Sequence, residues 1–128
     1  MDLGEHFPCL NVADLARSIA FYAKLDFAMV ADHSPDNWAV MQHNNMVLCL
    51  YQGHIERNLI NFRGGDIQEI EREVKARGLT FEKPAAQQAD GSWSAELRDP
   101  DGNPVFFNTF PHERAQYLRD GTLIDDPR

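Results

Sequence analysis

Long apolar runs, cysteines and basic residues are all scarce in this chain of 128 residues. No apolar run approaches the roughly 20 residues that a membrane-spanning helix needs, so no membrane segment is expected. The first ten residues, MDLGEHFPCL, lack the basic start and the apolar stretch of a signal peptide. The two cysteines, Cys9 and Cys49, suit a reducing compartment better than a disulfide framework. We therefore expect a cytoplasmic protein.

The charge balance is acidic, because 20 Asp and Glu residues oppose 12 Lys and Arg residues and give a formal net charge of −8. Nucleic acids are bound by basic faces, so nucleic acid is not an expected partner. The acidity serves either solubility or the attraction of cationic ligands. The chain also has no Ser-His-Asp pattern, no phosphate-binding loop with its lysine and no dinucleotide fingerprint.

Two helical patterns give the chain an internal repeat. Asp14 is a good N-cap for the helical pattern LARSIAFYAKL, and Asp66 opens IQEIEREVKARG in the same way. Glu69 is the capping-box partner of Asp66, and Gly78 stands where a helix C-terminus favours a left-handed residue. The two N-caps are 52 residues apart (66 − 14), which indicates two copies of one structural unit.

One predicted strand precedes each helix and three follow it. The strand segments are HFPCLNV, FAMVAD, NWAVMQH and MVLCLY in the first half, and NLINFR, LTFEK, WSAELR and PVFFNT in the second. Asn44-Asn45 and the run from Asp99 to Asn103 are predicted hairpin turns. A βαβββ unit therefore occurs twice, which predicts an α+β fold.

Three segments together resemble the vicinal oxygen chelate superfamily, which includes glyoxalases, bleomycin resistance proteins and extradiol dioxygenases. They are residues 11–27 (NVADLARSIAFYAKLDF), the second helix with its glycine, and residues 97–107 (LRDPDGNPVFF). The resemblance implies one domain over residues 1–111, with βαβββ repeats at about 5–52 and 57–111. It implies an open curled barrel around a concave pocket, with the helices on the convex faces. Residues 112–128 are left as a C-terminal tail with a short helix from about His112 to Arg119.

Alternation along the strands separates a helix-facing set of side chains from a pocket-facing set. The helix-facing set is apolar and comprises Pro8, Leu10, Val12, Leu48, Leu50, Ile60, Phe62, Ala95, Leu97, Val105 and Phe107. The opposite set mixes apolar and polar residues, as a small-molecule pocket requires. The predicted ligand-binding residues are Phe7, Cys9, Asn11, Trp38, Cys49, Tyr51, Asn61, Arg63, Ser94, Phe106 and Asn108. Core packing is the alternative for each aromatic residue, Trp38 is a rim residue or a dimer contact, and Trp93 is assigned to the core.

Metal-dependent members of the superfamily place His or Glu at one point on the first and last strand of each repeat. The aligned points here are Phe7, Cys49, Leu59 and Phe106. A divalent ion needs about three or four donor side chains, and a single thiol does not supply them. His6 is one residue out of register, and the other histidines are assigned to loops or strand ends with solvated roles. No metal and no other cofactor is expected, unless the second repeat is misaligned by one residue.

Glu96 is the candidate catalytic residue. The predicted alternation directs its carboxylate into a partly apolar cavity, where loss of solvent would make it a general base. It could instead be a counter-ion for a cationic ligand, or pair with Arg63, since buried carboxylates are usually paired. Cys9 and Cys49 are either reactive thiols in the same pocket or small buried apolar residues.

The resemblance and the missing donors together predict a metal-independent small-molecule binding protein of the bleomycin resistance type. The ligand is expected to be aromatic or cationic and to bind in a pocket of a homodimer. The alternative is a lyase, isomerase or dioxygenase of the same superfamily, acting through Glu96 or through a metal whose ligands are misplaced in the alignment. A third class is a partner-binding domain whose cavity is filled by its own side chains.

Overall fold

A computed structural model describes residues 1–124, and the contacts divide the chain into two units. We call them the N-terminal unit, which holds Phe7–Leu59 with Ile124, and the C-terminal unit, which holds Met1–His6 with Ile60–Leu123. None of the helices in these described residues is both long and apolar enough to span a membrane.

The two units contain nine strands and three α-helices among the described residues. In chain order they are β1 (Gly4–His6), β2 (Cys9–Asn11), α1 (Leu15–Ala23), β3 (Ala28–His33), β4 (Trp38–His43), β5 (Met46–Tyr51), β6 (Ile60–Gly64), α2 (Ile67–Ala76), β7 (Lys83–Gln87), β8 (Trp93–Arg98), β9 (Pro104–Thr109) and α3 (Pro111–Asp120). A short 3₁₀ turn, Ser34–Asp36, lies between β3 and β4.

The N-terminal unit is a four-stranded sheet in the order β2-β5-β4-β3, with α1 on one face. Strand β2 runs parallel to β5, and the other neighbours are antiparallel. Helix α1 begins where predicted, because the Asp14 carboxylate accepts a hydrogen bond of 3.2 Å from the Arg17 backbone N–H. The buried core between helix and sheet consists of Leu15, Ala39, Met41, Leu48 and Leu50.

The C-terminal unit repeats this design with one more strand, in the order β1-β6-β9-β8-β7. Strand β6 runs parallel to β9, and Asp66 accepts a hydrogen bond of 3.2 Å from the Glu69 N–H at the start of α2. Gly78 ends the helix region in the left-handed conformation that the sequence predicts, with φ of 88°. The buried core consists of Ile67, Ile70, Val74, Phe81, Ala95 and Phe107.

Helix α3 is part of the C-terminal unit and contacts β6. The Arg114 guanidinium donates a hydrogen bond of 2.9 Å to the Gly64 carbonyl oxygen. Gly64 has a φ of 96°, and a Cβ added there would lie 3.1 Å from the Tyr117 Cβ. A side chain at position 64 would therefore strain the backbone and crowd the helix. The short helix predicted from about His112 to Arg119 is thus present as α3, and specific contacts hold it to β6.

The α+β fold with two βαβββ repeats is confirmed, and two predicted strands need correction. The segment HFPCLNV is not one strand: β1 pairs with β6, and β2 pairs with β5, with Phe7 and Pro8 between them. The prediction of a strand at LTFEK is wrong, because β7 begins at Lys83 and Phe81 packs in the α2 core instead. Proline within β7 is tolerated because β7 is an edge strand.

The predicted helix-facing set is confirmed in both units with two exceptions. Leu10, Val12, Leu48 and Leu50 belong to the α1 core, and Phe62, Ala95, Leu97, Val105 and Phe107 belong to the α2 core. Trp93 also packs in the α2 core, as predicted. Ile60 is instead 38% exposed, and Pro8 belongs to neither core. The predicted ligand-binding residues that lie on strands therefore point away from the helices, because strand side chains alternate between the two faces of a sheet.

Candidate functional site

A row of aromatic side chains crosses the N-terminal sheet on the face opposite α1. We call it the aromatic row and define it as His33, Trp38, Tyr51 and His54. His33, Trp38 and Tyr51 are in register across β3, β4 and β5. The His33 and Trp38 rings are stacked, with centroids 3.9 Å apart and planes within 3°. The Trp38 and Tyr51 rings are also near-parallel, at 6.0 Å and 24°.

The sequence predicts solvated positions for both histidines of the aromatic row, His33 in a loop and His54 near a strand end. The structure corrects this for His33, which is the last residue of β3. His54 follows β5, and its ring meets the Tyr51 ring edge-on at 5.9 Å, while its Nε2 lies 2.6 Å from the Asp36 carbonyl oxygen. The spacing of His33 and Trp38 around a turn-forming SPDN segment is the signal that could have predicted their pairing.

Three other predicted ligand-binding residues of the N-terminal unit are buried, namely Phe7, Cys9 and Cys49. Cys9 and Cys49 are register neighbours on β2 and β5, and both are buried. The Cys9 thiol lies 3.5 Å from the Phe7 carbonyl oxygen, and the Phe7 side chain is buried as well. The buried, apolar role predicted for the two cysteines fits these positions.

Asn11 continues the aromatic row on β2, opposite Tyr51. Its side-chain amide donates a hydrogen bond of 3.2 Å to the Glu56 carbonyl oxygen. Its backbone N–H donates a hydrogen bond of 2.8 Å to the Asn58 side chain. Asn11 thus fixes the loop that follows β5, at the end of the row that His54 occupies.

Four side chains form a mixed surface on the C-terminal sheet. We call it the polar patch and define it as Asn61, Glu96, Phe106 and Asn108. Phe106 pairs in register with Asn61 on one side and with Glu96 on the other. Asn108 is two residues further along β9 and therefore points to the same face.

Asn61 and Asn108 carry polar atoms that the fold does not satisfy. Asn61 is 1% exposed, and neither its Oδ1 nor its Nδ2 has a hydrogen-bond partner within residues 1–124. The buried Oδ1 of Asn108 has no partner in the same part of the chain. Ser94, which pairs in register with Asn108, differs because its hydroxyl accepts a hydrogen bond of 2.9 Å from Gln88. Unsatisfied buried groups of this kind call for an explanation.

The pairing of Glu96 with Arg63 that the sequence suggested is wrong. Glu96 is buried and accepts hydrogen bonds of 3.1 and 3.3 Å from the guanidinium of Arg98, two residues along the same strand. Arg63 instead donates two hydrogen bonds, of 2.7 and 3.0 Å, to the carboxylate of Glu113 on α3. The sequence could not show this contact, because it depends on how α3 returns to β6.

The residues do not fit the divalent ion that many proteins of the resembled superfamily hold. At the four aligned points the side chains are Phe7, Cys49, Leu59 and Phe106. Across residues 1–124, no group of three or more His, Cys, Asp or Glu residues is placed so that it could hold a metal ion. No step of the chemistry below is therefore derived through a metal.

Two surface cavities of the N-terminal unit border α1, with volumes of about 580 and 400 Å³. The larger is a groove beside Arg17, Phe21 and Lys24, and the smaller lies between α1 and Asp32. Neither is lined by a member of the aromatic row. The groups suited to ligand recognition, stacked rings and unsatisfied amides, lie on the sheet faces away from α1 and α2.

Comparison with solved structures identifies several similar folds. A protein titled NAD-dependent benzaldehyde dehydrogenase from Legionella pneumophila is 19% identical with a TM-score of 0.70, over 83% of this chain and 99% of that one. A glyoxalase/bleomycin resistance protein/dioxygenase superfamily member from Vibrio splendidus 12B01 is 15% identical with a TM-score of 0.63, over 82% and 97%. A catechol 2,3-dioxygenase is 23% identical with a TM-score of 0.60, over 85% of this chain and 40% of that one. No protein-family profile and no curated protein sequence matches the chain.

Proposed function

The chain has the fold of the glyoxalase/bleomycin resistance/dioxygenase superfamily, and from this premise we propose that it binds an aromatic small molecule without a metal. The aromatic row is the observation that carries the proposal. His33, Trp38 and Tyr51 present nearly parallel rings on one sheet face. A planar ligand adds one more ring to such a series, with the offset stacking that aromatic groups favour.

The aromatic row is too exposed to be explained by core packing alone. Trp38 and Tyr51 are half-buried, and His33 and His54 are exposed. Cross-strand ring pairs do stabilise sheets, but the apolar core of this unit lies on the opposite face against α1. Solvent-accessible ring faces on a rigid strand scaffold are a better arrangement for a ligand than for a core.

Charge favours a cationic ligand over a neutral one of the same shape. The formal net charge is −8, and ring faces attract cations directly. High salt is expected to weaken this preference by screening.

The proposal also places the protein in the cytoplasm as a homodimer, with the ligand pocket at or near the subunit interface. The reducing compartment is inferred from the cysteine content, because two cysteines, Cys9 and Cys49, suit reduced thiols better than a disulfide framework. The dimer is inferred from the resemblance alone. Light scattering at the concentration used for ligand binding would measure the oligomeric state directly.

A thermal-shift comparison of three probes tests the proposed function. Tryptamine is aromatic and cationic, indole is aromatic and neutral, and cyclohexylamine is cationic without a ring. We expect tryptamine to raise the melting temperature most, indole less and cyclohexylamine least, since binding to the folded state alone stabilises it. Equal shifts for cyclohexylamine and tryptamine, or no shift with either aromatic probe, would contradict the proposal.

Glu96 supports a second candidate, an enzyme of lyase or isomerase type. Its carboxylate is a buried member of the polar patch, where a general base would meet a bound substrate. The bond from Arg98 engages only Oε2. In this case Glu96→Gln would abolish turnover of any substrate found, while circular dichroism would show that the protein remains folded.

A further inference from the structure

Asn61 is a buried residue whose side-chain amide has no hydrogen-bond partner within residues 1–124. Its amide has two N–H donors and an acceptor oxygen, and no residue of the described chain bonds to any of them. More than nine in ten buried polar groups in proteins are hydrogen-bonded, because an unpaired buried group loses its hydration without replacement. A leucine at position 61 would suit the β6 strand better. The amide therefore calls for a partner that residues 1–124 do not supply.

The surroundings of Asn61 define what that partner must offer. Asn108 contributes a second unpaired acceptor, its Oδ1, on the same sheet face. Glu96 contributes a carboxylate, and the Phe106 ring stands between Asn61 and Glu96. The polar patch thus presents one unpaired donor group among several acceptors, beside an aromatic ring.

We propose that Asn61 recognises a carboxamide or lactam edge on a ligand bound at the polar patch of the C-terminal unit. The Nδ2 of Asn61 donates to the ligand carbonyl oxygen, and a ligand N–H donates to Oδ1 of Asn61. A second N–H of a primary carboxamide donates to Oδ1 of Asn108, and the attached ring packs on Phe106. This inference rests on the proposed function, small-molecule binding without a metal, and names the chemical group that the polar patch selects.

The arrangement discriminates against close analogues. A ketone has the carbonyl oxygen but no N–H, so both asparagine oxygens stay unpaired, and sites built to hydrogen-bond a ligand reject analogues that lack the group. A carboxylate is repelled by Glu96 and finds a single donor group. An amidine has the donors but no acceptor, so it leaves the Asn61 Nδ2 unpaired and pairs best with Glu96.

Benzamide, acetophenone and benzamidine test the proposal as a matched series, with affinities measured by NMR titration. Wild-type protein is expected to bind benzamide at least about tenfold more tightly than acetophenone, the order expected for two added hydrogen bonds. Asn61→Leu should bring this ratio to about one. Asn45→Leu, on the exposed turn between β4 and β5, is the control and should leave the ratio unchanged.

Several results would overturn the inference. Equal affinity of wild-type protein for benzamide and acetophenone contradicts it without any variant. A ratio that survives Asn61→Leu contradicts it as well. A loss of benzamidine affinity in Asn61→Leu as large as the loss of benzamide affinity would also contradict it, because Asn61 would then not select the amide. If tryptamine binds and benzamide does not, this inference alone fails. If none of the aromatic probes binds, the proposed function itself fails.

Discussion

Trp38→Ala is expected to lower the affinity for tryptamine by about ten- to a hundredfold. Stacking of an aromatic ligand on one protein ring contributes about 1–3 kcal/mol, and each 1.4 kcal/mol is a factor of ten in affinity. Trp38 is the central member of the aromatic row, between His33 and Tyr51, so its loss breaks the series of rings to which the ligand adds. Isothermal titration of both proteins at the same salt concentration measures the difference.

Trp38→Phe is the matched variant for that experiment. Phenylalanine keeps a ring on β4, so we expect most of the lost affinity to return. A melting curve for each variant shows whether the β3–β4–β5 sheet is intact. Unchanged affinity in a folded Trp38→Ala protein would remove the aromatic row from the site.

Asn61→Leu is expected to stabilise the protein even as it removes a ligand contact. Leaving a buried polar group unsatisfied costs about 1–3 kcal/mol, and a leucine of similar size removes that cost. For a chain of this length the gain corresponds to a rise in melting temperature on the order of 5 °C. Thermal unfolding followed by circular dichroism is the measurement.

The matched control for stability is again Asn45→Leu, because Asn45 is exposed and its replacement removes no unsatisfied group. We expect its melting temperature to stay within about 2 °C of the wild type, since surface substitutions usually change stability by no more than about 0.5 kcal/mol. A fall in melting temperature for Asn61→Leu would mean that the Asn61 amide is satisfied within the unliganded protein. The stability gain would then be absent, and the case for an external partner would lose its basis.

Local signals predicted much of this fold. The N-caps Asp14 and Asp66 begin α1 and α2 as predicted, because capping depends on a contact between residues three positions apart. Strands β8 and β9 match WSAELR and PVFFNT residue for residue. The turn between them is held by Asp99, whose carboxylate accepts hydrogen bonds from the backbone N–H groups of Asp101 and Asn103.

Contacts between distant parts of the chain were harder to predict. The segment HFPCLNV alternates well as a single strand, yet its two ends pair with different sheets. Only the positions of β5 and β6 decide this, and local alternation carries no information about them. The strand β7 was predicted at the wrong position for a similar reason. Phe81 has high strand propensity, but its side chain packs in the α2 core before β7 begins.

The candidate site was likewise predictable where it depends on local pattern and not where it depends on contacts between distant residues. Alternation correctly separated Asn61, Glu96 and Phe106 from the helix-facing residues, because a strand has a fixed period of two. The partners of the charged residues were not predictable. Arg63 pairs with Glu113, 50 positions away, through a helix that has no counterpart in the first repeat.

The central claim is that ligand binding needs no metal, and a titration of metal-stripped protein tests it most directly. The protein would be treated with a chelator, its metal content measured by mass spectrometry, and tryptamine then titrated by calorimetry. The account predicts the same affinity and stoichiometry before and after chelation, with less than one tenth of an equivalent of metal left (about tenfold below one site per chain). Binding that disappears on chelation and returns with a stoichiometric divalent ion would contradict it.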